Sequence, residues 1–160
     1  MAADERRPVV DEPDGALFAL RFHLKRHRDI YYERLQAIRT EGDWEEWLEF
    51  FLDGVISVAA LATQTTKQIV ELIEQDRRKI GELGRAAGSA LLVFDQAVKE
   101  VVLRIPGTAE RLPVSEPTVA TAIGNLERLG ILRELTGRPR NKIFGYDGYL
   151  KILSEGTEPL

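Results

Sequence analysis

Between Leu112 and Tyr146 the stretch LPVSEPTVATAIGNLERLGILRELTGRPRNKIFGY switches from a helical hydrophobic period to short apolar strand-like runs. Val119, Ala122, Ile123, Leu126 and Leu129 recur at three and four residues, the inward face of one helix. Ser115 stands where an N-cap offers its oxygen to free helical N–H groups, and Gly130 stands where a helix stops. Arg133–Thr136 and Lys142–Tyr146 flank Gly137-Arg138-Pro139-Arg140, which predicts a β-hairpin. Helix, stop and basic hairpin in this order predict the second half of a winged helix-turn-helix. The first half is legible upstream: a helix over Ser89–Ala97, an edge strand at Val101–Leu103, and the short helix PGTAERL. Pro106 suits that helix because its missing N–H is not needed in a first turn.

The rest of the chain reads as helices. Leu17, Leu20, Leu24, Tyr31, Leu35 and Ile38 keep helical spacing, with Lys25-Arg26-His27-Arg28-Asp29 as a possible interruption between two helices. Asp43 followed by Glu46 marks the start of the next helix. Trp44, Trp47, Phe51 and Val55 are expected on one face of it, packed against the preceding helix. The pattern Ile69, Leu72, Ile73, Ile80, Leu83 extends it or begins another, since no proline intervenes. Gly81, Gly84 and Gly88 then loosen the pattern and suggest a domain boundary. The expected fold is therefore mainly α. A disordered N-terminus (1–13) precedes a helical bundle segment (14–86), and a C-terminal winged helix-turn-helix with a small β-hairpin (87–160) ends the chain.

Charge and composition exclude several functions. Without cysteine there is no disulfide, thiolate metal site or cysteine nucleophile. The polar start MAADERRPVVDEPDG has no apolar core of a signal peptide, and no run approaches about 18 apolar residues. These features predict a cytoplasmic protein with no membrane partner. Net charge is −4, but residues 1–84 carry 12 Lys/Arg against 17 Asp/Glu, whereas residues 85–160 carry 10 against 9. Any nucleic-acid contact must therefore be local. The expected DNA-binding residues are Thr118, Thr121, Asn125 and Arg128 on the outward face of the third helix, with Arg138, Arg140 and Lys142 on the hairpin. Asn reads adenine, Thr meets phosphate or a thymine methyl, and Arg meets guanine or phosphate. Glu116 in the first turn opposes phosphate, and the same module serves elsewhere as a protein contact, so both partners stay open.

Two long stretches resemble a known family. LKRHRDIYYERLQAIRTEGDWEEWLEFFLDGV (Leu24–Val55) is similar to the segment after the active site of Fic proteins, which transfer AMP from ATP to protein hydroxyls. RELTGRPRNKIFGYDGYLKILSEGTEPL (Arg133–Leu160) resembles the end of the Fic subclass that carries a winged helix. The resemblance implies a mostly helical protein, and it covers nearly everything after residue 15. The Fic signature, a His followed by Phe, an acidic residue, Gly-Asn-Gly-Arg and a final Arg, is absent. His23 and His27 have no Gly-Asn-Gly after them, and the only Gly-Asn, Gly124-Asn125, continues into Leu126. The resemblance thus implies the C-terminal part of such a protein, without its catalytic residues or cofactor, acting as a DNA- or protein-binding regulatory module. Its helical segment is expected to meet a Fic catalytic core or another protein. The alternative is a free-standing winged-helix transcription regulator with a helical dimerisation domain.

Other chemistry has little support. His23 and His27 are four apart, a spacing that suits a metal on a helix, but Lys25 and Arg26 between them repel one, and no metal site is expected. Glu45, Glu46, Glu49 and Asp53 read as a solvated helix face, and Tyr31, Tyr32, Trp44 and Trp47 as core aromatics. The glycines are not on a strand-to-helix turn, as a phosphate cradle requires.

Overall fold

The computed structural model describes residues 13–155. Among them the order is α1 (Pro13–Arg26), α2 (Arg28–Glu41), α3 (Glu45–Gly81), a 3-10 turn at Gly84–Ala86 and α4 (Ala87–Glu100). Then follow β1 (Val102–Leu103), α5 (Ile105–Arg111), α6 (Glu116–Arg128), β2 (Leu132–Glu134), β3 (Phe144–Tyr146) and α7 (Asp147–Ser154). The protein is mainly helical, with one small antiparallel sheet. Of the N-terminal stretch expected to be disordered, residues 1–12 lie outside the described residues, and Pro13 opens α1.

Chain contacts divide the molecule into two units at Gln64/Thr65, inside α3, and not at the glycines of residues 81–88. The reason is packing. Ile80 is completely buried in the second unit, with Leu72, Ile73 and Leu83 against the same core, so the end of α3 belongs there whatever follows it.

In the first unit, the interruption of the opening helical pattern falls at His27. Hydrogen bonds from His27 N–H to the His23 carbonyl (3.1 Å) and from Tyr31 N–H to the His27 carbonyl (3.0 Å) cross the break. It is a kink, not a loop. Asp43 Oδ1 accepts the Glu46 N–H at 3.2 Å, the cap expected from the sequence. Trp47 stacks on Phe51 with ring centroids 5.4 Å apart, and His23 lies against Gly54, where a Cβ would come within 3.0 Å of its ring. Gly54 is thus required by close approach, and it is the one buried residue of α3 before Thr65. The expected single packed face is corrected: Trp44 and Val55 are exposed, because α1 and α2 cover only the side carrying Trp47, Phe51 and Gly54. Tyr32 is exposed as well, with Arg28 over its ring, and is no core aromatic.

The second unit holds a full core. α4 and α6 pack together through Ala90, Val93, Phe94 and Ala97 on one side and Val119, Ala122, Ile123 and Leu126 on the other. The sheet order is β1-β3-β2, so β1 is an edge strand as the sequence suggested. Leu103 pairs with Phe144, and Leu132 with Tyr146. Tyr146 lies edge-on to Phe94 at 5.4 Å and donates its hydroxyl proton to Asp76 Oδ2 at 2.9 Å. Burial and that carboxylate raise the tyrosine pKa well above its ordinary value. Lys79 Nζ pairs with the other Asp76 oxygen at 2.7 Å, so the buried carboxylate is satisfied on both sides. Helix α7 has no counterpart in the sequence reading.

At 37 residues, α3 is long and apolar enough, by length and composition, to cross a membrane, and only 6% of its most apolar stretch is buried. Counting consecutive apolar residues missed this because Glu49 and Asp53 interrupt the run.

Candidate functional site

Most of the side chains expected to read bases from α6 are engaged within the helix itself. Gly130, with φ +71°, stops the chain just beyond this helix, and Ser115 stands at its N-cap. The Ser115 side chain makes no capping bond, however; its oxygen meets Thr118 Oγ1 at 2.9 Å instead. That pairing corrects the expected cap and occupies Thr118 as well. Thr121 donates its hydroxyl proton to the Pro117 carbonyl at 2.9 Å. Asn125 is only 5% exposed, among the inward residues of the helix, and its side-chain oxygen accepts from the Arg128 guanidinium. The fold therefore withdraws Asn125 from any base edge and draws Arg128 back along its own helix. What α6 presents outward is Glu116, Pro117, Ala120, Thr121, Glu127 and Arg128.

The turn between β2 and β3 is different. Glu134 accepts from the Thr136 N–H at 2.7 Å, from the Thr136 hydroxyl, and from the Gly137 N–H at 2.9 Å. The Thr136 hydroxyl and then its N–H, with lesser help from the Gly137 N–H and the nearby Lys142 charge, hold this carboxyl below the usual glutamate range against the opposing effect of desolvation. The acid thus organises the start of the turn with its own side chain. Beyond it Arg138, Arg140 and Lys142 are all exposed, and none pairs with a carboxylate among the described residues. Arg133, the fourth basic residue of the hairpin, is occupied: its Nε donates to Asp147 Oδ1 at 2.6 Å. Of the seven residues expected at the site, the structure leaves the three hairpin cations open and ties up most of the helix set. The sequence carries the missed signal. Asn125 falls four residues from Thr121 but three from Ala122, and the helical period places it next to the buried row.

No group of three or more His, Asp or Glu side chains that could hold a metal ion is present among the described residues. His23 and His27 lie side by side with ring centroids 4.7 Å apart and their planes tilted by 46°. Burial first, and then His27 and Arg26, lower the His23 pKa, and no third ligand gathers around the pair among the described residues. No family model matches the sequence, and no curated protein matches it.

Proposed function

We propose that the second unit is a winged-helix binding module that grips the phosphate backbone of nucleic acid through its hairpin. It belongs to a chain equivalent to the C-terminal part of a Fic-family AMP-transferase and carries no transfer chemistry itself. The order α4-β1-α5-α6-β2-β3 and the antiparallel β1-β3-β2 sheet support the winged-helix reading. The single observation behind the binding reading is the hairpin: three unpaired cations on a turn held by Glu134. Phosphates release counterions when such cations neutralise them, so affinity falls with salt. Because α6 spends its polar groups internally, sequence discrimination is expected to be weak: the hairpin positions the module, and little reads the bases.

Fluorescence anisotropy on two duplexes of unrelated sequence tests this. Similar affinity for both is expected, with a loss of roughly forty-fold between about 50 and 200 mM salt if all three cations engage. Arg140→Ala and Lys142→Ala should each lower the salt slope by about one. Absence of affinity at low salt would remove the nucleic-acid reading. A protein contact would then remain, favoured by the exposed Glu116 and Glu127 on α6. With ATP and Mg²⁺ the purified chain should label no protein with AMP.

A further inference from the structure

The first half of α3 is apolar over roughly two-thirds of its circumference at about 100° per residue, and such a helix belongs in an interior. α1 and α2 cover the side that carries Trp47, Phe51 and Gly54. The adjoining side stays open, with Trp44 60%, Leu48 48%, Leu52 54%, Val55 38% and Ile56 64% exposed. Their spacing of four, four, three and one makes a continuous stripe. At these exposures the five side chains leave on the order of 500 Å² of mostly apolar surface in water, the upper end of what a monomer tolerates. Two such stripes face to face would bury on the order of 1,000 Å², the threshold of a specific interface.

The charges beside the stripe select its occupant. On one shoulder stand Glu45, Glu49 and Asp53, with no ion pair among the described residues and no basic residue between Trp44 and Lys67. On the other side lies α1, whose Leu20 and His23 pack on Gly54 and which carries the exposed Arg21, Lys25 and Arg26 with no acidic residue over residues 19–26; Arg34 of α2 is already paired with Glu46. An anionic bilayer would be repelled by the acidic shoulder, and the two carboxylates inside the apolar stretch oppose insertion. A second copy of the same surface offers what the stripe lacks. When two identical helices pair in parallel about a two-fold axis, each shoulder meets the opposite shoulder of its partner. The acidic edge of one copy then lies against the basic α1 edge of the other. An antiparallel pair would set acid against acid.

We propose that the stripe from Trp44 to Ile56 is a self-association surface that joins two copies of this chain with their α3 helices parallel. This goes beyond the nucleic-acid reading of the hairpin and does not depend on it. Light scattering on the full chain, from about 1 to 100 µM, should show the mass rising from 18.0 kDa toward twice that value. Leu52→Lys with Ile56→Lys should weaken the dimer by at least about tenfold while far-UV circular dichroism stays unchanged, because both sites are exposed in the single chain. Orientation has its own readout, since the chain has no native cysteine. Leu48→Cys alone and Val55→Cys alone should each form a disulfide-linked dimer on oxidation. A chain that stays monomeric throughout the range overturns the proposal, as does a dimer that survives the double lysine variant. Crosslinking that needs the two cysteine variants mixed would reverse the pairing direction and refute the parallel arrangement. Binding of the monomer to phosphatidylcholine–phosphatidylglycerol vesicles, lost in the double lysine variant, would assign the stripe to a membrane and overturn it too.

Discussion

The two units use the same helix to opposite effect. After Thr65, α3 contributes Ile80 to a core in which Phe94, Leu103, Leu126 and Tyr146 are completely buried. Before Thr65, the same helix buries Gly54 and leaves Leu52, Ile56 and Leu61 more than half exposed. The apolar pattern is as strong in the first half as in the second. What differs is the covering: the second unit supplies α4, α6 and a sheet, whereas the first supplies only the kinked pair α1 and α2. Periodicity states that a helix has a face to bury, and tertiary structure alone states whether this chain buries it.

The sharpest way to break the comparison is to remove equal chemistry from both units. Phe94→Ala should cost about 3–5 kcal/mol in urea unfolding, because a ring packed against Tyr146 leaves a cavity that a helix–sheet core cannot close. Leu52→Ala, measured at a dilution where the chain is monomeric, should change stability by no more than about 0.5 kcal/mol. Comparable losses at the two sites would show that the first unit buries this face after all.

A smaller effect tests how the second unit holds α3. Tyr146→Phe leaves one oxygen of the buried Asp76 without its donor and should cost about 1–3 kcal/mol. The same bond sets a pH dependence. The tyrosine pKa is raised in the fold, so above about pH 10 the unfolded chain loses a proton that the folded chain keeps. Stability is then complete below pH 10 and falls as pH rises past it, and the Phe variant should lose that component. An unchanged alkaline limb in the variant would mean that another group sets it.

Most of the second unit was legible because its signals are local. Pro106 in the first turn of α5, Gly130 beyond α6 and the buried row from Val119 to Leu126 each act within a few residues. The kink at His27 and the cap at Asp43 were legible for the same reason. What escaped depends on distant partners. Trp44 and Trp47 look alike in sequence, and only the position of α1 and α2 decides that one is packed and the other exposed. The unit boundary inside α3 was hidden because no breaker marks it; it is set by which neighbours Ile80 finds. At the candidate site, the basic hairpin was plain from composition, but the burial of Asn125 and its bond to the Arg128 guanidinium are side-chain choices that residue type does not reveal.

The smallest expected effect separates two caps that read alike in the sequence. Asp43 makes its bond to the Glu46 N–H, whereas Ser115 spends its hydroxyl on Thr118. Asp43→Ala should therefore cost about 1 kcal/mol, read as faster hydrogen exchange in the first turn of α3, and Ser115→Ala only a few tenths in urea unfolding. The difference should be most visible in the first unit, where little tertiary packing holds the start of α3 and a cap is a larger share of what keeps it helical. If Ser115→Ala costs as much as Asp43→Ala, the serine oxygen does reach the α6 amides in solution, and the Thr118 hydroxyl is then left free of it.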